Sequence, residues 1–133
     1  MEVEVTPDGG LAIQRVVCAI DCGQPVNPLG INAQMQGGTI DGLSTALNLE
    51  ITIRDGRVEQ GNFNDYPLAA MAQMPKDIEV LIVDSTESPA GCGEMGIPTA
   101  APALTNAIFA ACGVRIRNLP VRAQLAEALR RAS

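Results

Sequence analysis

This chain has almost no aromatic material from which to build a core: two Phe, one Tyr and no Trp in 133 residues. Small aliphatic side chains must fill the interior instead. They are plentiful, since 47% of residues are hydrophobic and 18% charged, a globular balance that fits neither disorder nor a disulfide-dense scaffold. The length suits one domain spanning residues 1–133, large enough to bury about two thirds of its unfolded surface.

Composition also removes whole classes of function. With 9 basic and 15 acidic residues the formal charge is −6, which argues against nucleic acid as a partner, because phosphate binding needs clustered Lys and Arg. Histidine is absent, and with it the usual base of serine and cysteine hydrolases and most zinc enzymes. Any acid or base must be another side chain. The scarcity of rings leaves base-stacking platforms and aromatic cages poorly supplied. No apolar run approaches the roughly 18 residues of a membrane span, and the acidic start, Met1 to Gly10, lacks the basic region of a signal peptide. A cytoplasmic location is the expectation. Cys18, Cys22, Cys92 and Cys112 form no C-x-x-C pair and are expected as buried free thiols rather than metal ligands.

Periodicity gives the elements. Glu2–Val5 alternates, Pro7-Asp8-Gly9-Gly10 supplies a turn, and Leu11–Ile20 resumes as a mostly buried strand. Asp21–Pro28 is rich in helix breakers. Apolar residues at Ile31, Met35, Ile40, Leu43, Ala46 and Leu47 predict a helix over 31–47, although Gly37, Gly38 and Gly42 each cost it up to about 1 kcal/mol relative to Ala. Either tight helix packing or close approach of a ligand would repay that cost. Asp55-Gly56 predicts a second hairpin joining 50–54 to 57–59. A strand follows at 78–83, then a glycine-punctuated loop, a helix over 98–112 stopped by Gly113, a short edge segment at 114–117, and a last helix after Leu119-Pro120 that carries Arg130 and Arg131 at its C-terminal end. These elements imply an α+β fold: a mixed or antiparallel sheet made of both hairpins and the further strand, two main helices packed on it, and a short C-terminal helix.

Glu94 is the carboxylate placed most oddly for a surface charge, among Gly91, Gly93 and Gly96 with Cys92 and Met95 beside it. Desolvation there would raise its pKa toward the range a general base needs. The plain alternative is an acidic residue favoured by a helix N-terminus. Gln34 and Gln36 can either hydrogen-bond a polar cofactor or stand exposed on their helix. Asn27 reads as turn chemistry and Asp41 as a solvent-facing charge. Gly91-Cys92-Gly93-Glu94-Met95-Gly96 matches the G-x-G-x-x-G expression literally, but flanking Pro89 and Pro98 and the lack of a completing acidic residue argue against a dinucleotide loop.

Three segments together carry a family likeness: Asp21-Cys22-Gly23 through Asn27-Pro28 to Gln34-Met35-Gln36-Gly37-Gly38 and Gly42; the block Gly91 to Gly96; and Pro98 to Gly113 followed by Arg115 to Pro120. In order and spacing they resemble the C-terminal part of the molybdopterin-binding subunit of the xanthine oxidase/aldehyde oxidase family, most of all the branch that holds the beta chain of isoquinoline 1-oxidoreductase. The resemblance implies a molybdenum-pyranopterin cofactor and hydroxylation of an N-heterocycle or aldehyde carbon. Glu94 would then be the catalytic base toward a metal-bound hydroxyl, with the metal acidifying its own oxygen ligand. Gln34 would sit near the pterin, the glycines after it giving room for close approach, and the backbones of Gly91, Cys92 and Gly93 are candidate cofactor contacts. No protein ligand to the metal itself is implied. Family subunits are several times longer, so the chain is expected to be a fragment that binds no molybdenum and turns nothing over alone. Its expected partners are the rest of the subunit and an iron–sulfur subunit, since no thiolate set for a [2Fe–2S] cluster is present. The alternative is a non-catalytic module that self-associates or binds a partner through the apolar surface a missing neighbour would leave.

Overall fold

The computed structural model describes residues 1–132. Strands β1 (Glu2–Val5) and β2 (Leu11–Ile20) form the expected hairpin, β1 pairing antiparallel with β2. Strand β5 (Asp77–Ile82) lies on the other side of β2, parallel to it, with Arg15 opposite Asp77 and Ile20 opposite Ile82. The sheet is therefore mixed, in the order β1-β2-β5. Arg15 ties its three strands together on the open face, 3.7 Å from Glu2 and 3.4 Å from Asp77 and hydrogen-bonded to Glu79. Strand β2 is buried on one face only, at Ile13, Val16 and Ile20, while Val17 is 43% exposed. That corrects the expectation of a mostly buried strand: one face packs on helices and the other does not, and a one-residue slip in the pairing at Gln14, opposite the Glu2–Val3 step of β1, lets Ile13 share the packed face with Val16 and Ile20 although the three do not fall at period two.

Helix α1 (Pro28–Asn48) begins three residues earlier than the apolar pattern indicates. Asn27 caps it, its side-chain oxygen accepting the Gly30 N–H at 3.1 Å, and Pro28 occupies the first turn, where a missing N–H does no harm. Helix α2 (Gly96–Cys112) ends at Gly113 in the left-handed region, φ 75°, which only glycine enters freely. Helix α3 (Arg122–Ala132) closes the fold with Val121 and Leu125 buried, and the Val121 N–H donates to the Ala46 carbonyl of α1 at 2.9 Å.

Two predicted details differ. The second hairpin exists, as β3 (Ile53–Arg54) and β4 (Arg57–Val58) around Asp55-Gly56, both with positive φ, but it is a separate two-stranded ribbon. All four strand residues are exposed, so nothing draws it onto the main sheet. Residues 114–117 form no strand; Val114 and Ile116 are buried as a strand pattern would have them, yet their backbone pairs with no sheet edge.

The core lies between sheet and helices: Ile13 and Val16 from β2, Leu43 and Leu47 from α1, Leu104 and Ile108 from α2. With no aromatic ring among the buried residues described, the helices close the gap by backbone contact. A Cβ on Gly42 would stand 2.6 Å from the Ile97 carbonyl oxygen and 2.8 Å from the Ala100 Cβ, and one on Gly38 would touch Gly96 at 3.4 Å. Of the two explanations for the helix glycines, packing of α2 on α1 holds for Gly38 and Gly42; Gly37 faces open space. The room expected for a cofactor beside Gly38 and Gly42 is filled by α2. A smaller cluster of Ile20, Cys22, Ile31 and Met35 sits at the far end of the sheet, with Val80, Ile82 and Cys92 against it. Among the described residues no helix is long and apolar enough to cross a membrane.

Candidate functional site

The loop between β5 and α2 carries the candidate residues, and its path is fixed from both ends. After β5, the Val83 N–H donates to the Ile20 carbonyl at 2.8 Å, continuing the sheet by one bond. The loop then turns alongside the segment leaving β2: Gln24 N–H donates to Glu87 O at 2.9 Å and Ala90 N–H to Cys22 O at 2.8 Å. Cys92 packs against the small apolar cluster. At the other end Gly96 rests on α1, where a Cβ would come within 2.8 Å of Thr39 N and 2.9 Å of Met35 O. The loop therefore lands on the turn of α1 that follows Gln34.

That landing brings together the residues singled out by sequence. The Cβ position of Gly93 is 3.4 Å from Gln34 Nε2, so the loop at 93 and the Gln34 amide are in van der Waals reach of each other. Gly91, Gly93, Glu94 and Gln34 are all exposed, and Cys92 is half-buried. The Glu94 carbonyl accepts the Ile97 N–H at 3.1 Å, the first bond of α2. Glu94 does not lie in an apolar enclosure: Cys92 and Met95 flank it in sequence, but Cys92 turns into the cluster and Met95 is itself 54% exposed. The expected desolvation of this carboxylate is thus not supplied by this chain, because neighbours in sequence are not walls in space.

The remaining polar candidates divide cleanly. Gln36 donates from Nε2 to the Ile78 carbonyl of β5 at 3.3 Å, which makes it a tether between helix and sheet. Asp41 is exposed, as expected. The four thiols are free: Cys22 is buried and Cys18, Cys92 and Cys112 half-buried. Among the described residues no group of three or more Cys, Asp or Glu is placed to hold a metal ion.

Two concavities adjoin the loop. One, of about 290 Å³, lies beside Met95 and Gly96 and reaches across Met35, Thr39 and Thr99 to β2; neither Gln34 nor Glu94 lines it. The other, of about 210 Å³, lies between the 22–31 and 89–92 segments. Sequence reasoning missed Thr39, 2% exposed, with its Oγ1 3.2 Å from Cys18 Sγ. A Thr inside a glycine-rich helix stretch was the available signal.

One exposed side-chain amide at this surface is available to a polar group such as the edge of a pterin. Gln34 offers both donors and acceptors, and neither it nor Glu94 spends its side chain on a hydrogen bond within the described residues. Gly93 keeps the approach to the Gln34 amide clear of side chain.

The chain belongs to the molybdopterin cofactor-binding domain family, whose model matches residues 1–75. Among its relatives, the beta chain of isoquinoline 1-oxidoreductase from Brevundimonas diminuta is 39% identical over 117 residues, covering 88% of this chain and 15% of that protein. A nicotinate dehydrogenase subunit of Pseudomonas putida is 33% identical over 116 residues, 87% of this chain and 10% of that one. The crystal structure of quinoline 2-oxidoreductase from Pseudomonas putida 86 shares the fold, with a TM-score of 0.81 at 20% identity over 92% of this chain and 17% of that one. The expected kinship with molybdenum hydroxylase subunits of the xanthine oxidase type is thereby established, and the chain spans only a small part of these relatives.

Proposed function

We propose that residues 1–133 are one domain's worth of a molybdenum hydroxylase subunit, the part that carries the base for hydroxylating a carbon of an N-heterocycle or aldehyde. The observation that carries this reading is the pairing of Gln34 with the Gly93-Glu94 step, an exposed amide and an exposed carboxylate brought to one surface by the landing of the loop on α1. Relatives named for isoquinoline and nicotinate support a nitrogen heterocycle, and one named for an aldehyde supports the aldehyde. The molybdenum-pyranopterin group, when bound, supplies Lewis acidity and two-electron redox chemistry. Gln34 would hydrogen-bond a polar edge of the pterin, and the backbone N–H groups of Gly91, Cys92 and Gly93 would line the same side. Glu94 would accept the proton of the oxygen that attacks the substrate carbon, a role worth about 10²- to 10⁴-fold in rate for a positioned base.

On this chain Glu94 has solvent on its open side, so the enclosure that tunes a base must come from the rest of the subunit. An iron–sulfur subunit would complete the electron path. Alone, the chain is expected to bind no molybdenum and to turn nothing over; stoichiometric metal in the purified chain would contradict that. Within the complete subunit, Gln34→Leu should lower cofactor occupancy while Glu94→Gln leaves it intact, and equal occupancy in both would remove Gln34 from the cofactor.

A second reading, self-association of the isolated chain, is favoured by the apolar side chains it leaves in water, Leu29 at 84% and Met71 at 93% exposure. Sedimentation giving a monomer at all concentrations would reject it.

A further inference from the structure

The 21–24 and 87–92 segments, zipped by the two backbone hydrogen bonds that join Cys22 to Ala90 and Gln24 to Glu87, each bring a free thiol to the same place. Cys22 is 4% exposed and Cys92 half-buried; both line the cavity of about 210 Å³, and Cys92 packs against the cluster that contains Cys22. Cys18 also touches that cluster, but its Sγ is 3.2 Å from Thr39 Oγ1 and it lines the other cavity rather than this one, while Cys112 Sγ lies 3.1 Å from the Ile108 carbonyl. Cys92 stands between Gly91 and Gly93 in a stretch without regular structure, where backbone torsions can adjust, and two residues before Glu94.

We infer that Cys22 and Cys92 are a redox pair, closing to a disulfide under peroxide and thereby pinning the Glu94 loop to the end of β2. The proposal rests on the reading of Glu94 for its consequence, though not for its chemistry. The more exposed Cys92 loses its proton and attacks one oxygen of hydrogen peroxide; the O–O bond breaks, water leaves, and Cys92 becomes a sulfenic acid. The Cys22 thiol, deprotonated, then attacks that sulfur and displaces a second water, forming the S–S bond. Two thiols give up two electrons and two protons, and one peroxide becomes two waters. The cavity gives the sulfurs room to approach, and a thiol reductant reverses the step.

The test uses the reduced chain treated with a small excess of hydrogen peroxide, then alkylated and weighed. Expected are two alkyl groups per chain in place of four, a mass otherwise 2 Da below that of the reduced chain, and a single cross-linked peptide joining Cys22 to Cys92. A protease cutting after Asp and Glu resolves the assignment, because Asp21 separates Cys18 from Cys22 and Glu94 separates Cys92 from Cys112. Cys92→Ser should keep its three thiols free of intramolecular cross-links. Glu94→Gln should lose the same 2 Da, so failure of the base reading leaves this result untouched. Oxidation of Cys92 to sulfenic or sulfinic acid with Cys22 still reduced, or a cross-link between any other pair or between two chains, would overturn the proposal.

Discussion

Alanine at position 42 and alanine at position 37 should have opposite effects, although both replace a glycine in the same helix. The helix-propensity gain is common to the two, about 1 kcal/mol for Gly→Ala in a helix interior. At Gly37 nothing stands within 4 Å of the new Cβ, so that gain should appear almost whole, as a stabilisation of about 0.5–1 kcal/mol. At Gly42 the new Cβ would sit 2.6 Å from the Ile97 carbonyl oxygen and 2.8 Å from the Ala100 Cβ, and neither is the end of a flexible side chain. Helices α1 and α2 must separate to admit it, and overpacking of this kind costs about 1–3 kcal/mol. Because the propensity contribution cancels in the difference, the two variants should differ by the packing penalty alone. At this chain length that separates their melting temperatures by about 4–12 °C. Urea unfolding followed by circular dichroism would measure both free energies. Equal stabilisation of the two variants would refute the claim that α2 packs on α1 through glycine.

Three further outcomes follow from the same structure. Leu104→Ala, at a fully buried position facing the sheet, should destabilise by about 2–5 kcal/mol, read as a lowered urea midpoint at unchanged slope. Gly113→Ala should cost about 1 kcal/mol, since φ 75° is a conformation that L residues avoid; no change in midpoint would mean the α2 terminus is not held there. Asp65 is held below its ordinary carboxylate range by hydrogen bonds from the Gly61 and Asn62 N–H groups, so its contribution is present above the unfolded value of 3.8 and is lost as pH falls through the lower folded value. Amide shifts of Gly61 and Asn62 should move together in that acidic window, and Asp65→Asn should abolish the movement.

Much of the fold is legible in the sequence because its signals are local. Asp55-Gly56 and Gly113 each mark a boundary through a residue's own backbone preference, and the structure places a turn and a helix stop at those points, whereas Asn27, expected as turn chemistry, caps α1. Decisions made by distant partners are not legible in this way. The ribbon Ile53–Val58 follows its turn signal, but whether it joins the sheet depends on an apolar face that its exposed strands lack. Residues 114–117 show the same limit, with the burial alternation of a strand and no edge to pair with. The helix glycines support two readings until Gly96 and Ile97 are found against them.

The site divides in the same way. Gln34 and Glu94 are 60 residues apart, and only the landing of Gly96 on the Met35–Thr39 turn brings their neighbourhoods together. The environment of Glu94 is not the one its sequence neighbours suggest, since Cys92 points into the cluster and the carboxylate stays in solvent.

The most direct measurement is the rate of substrate-driven cofactor reduction in the complete subunit carrying Glu94→Gln, compared with the unaltered subunit at equal molybdenum content. A fall of about 100-fold or more is expected with the metal fully retained, as loss of a positioned base requires. An unchanged rate at full occupancy would contradict the assignment of Glu94 as the base.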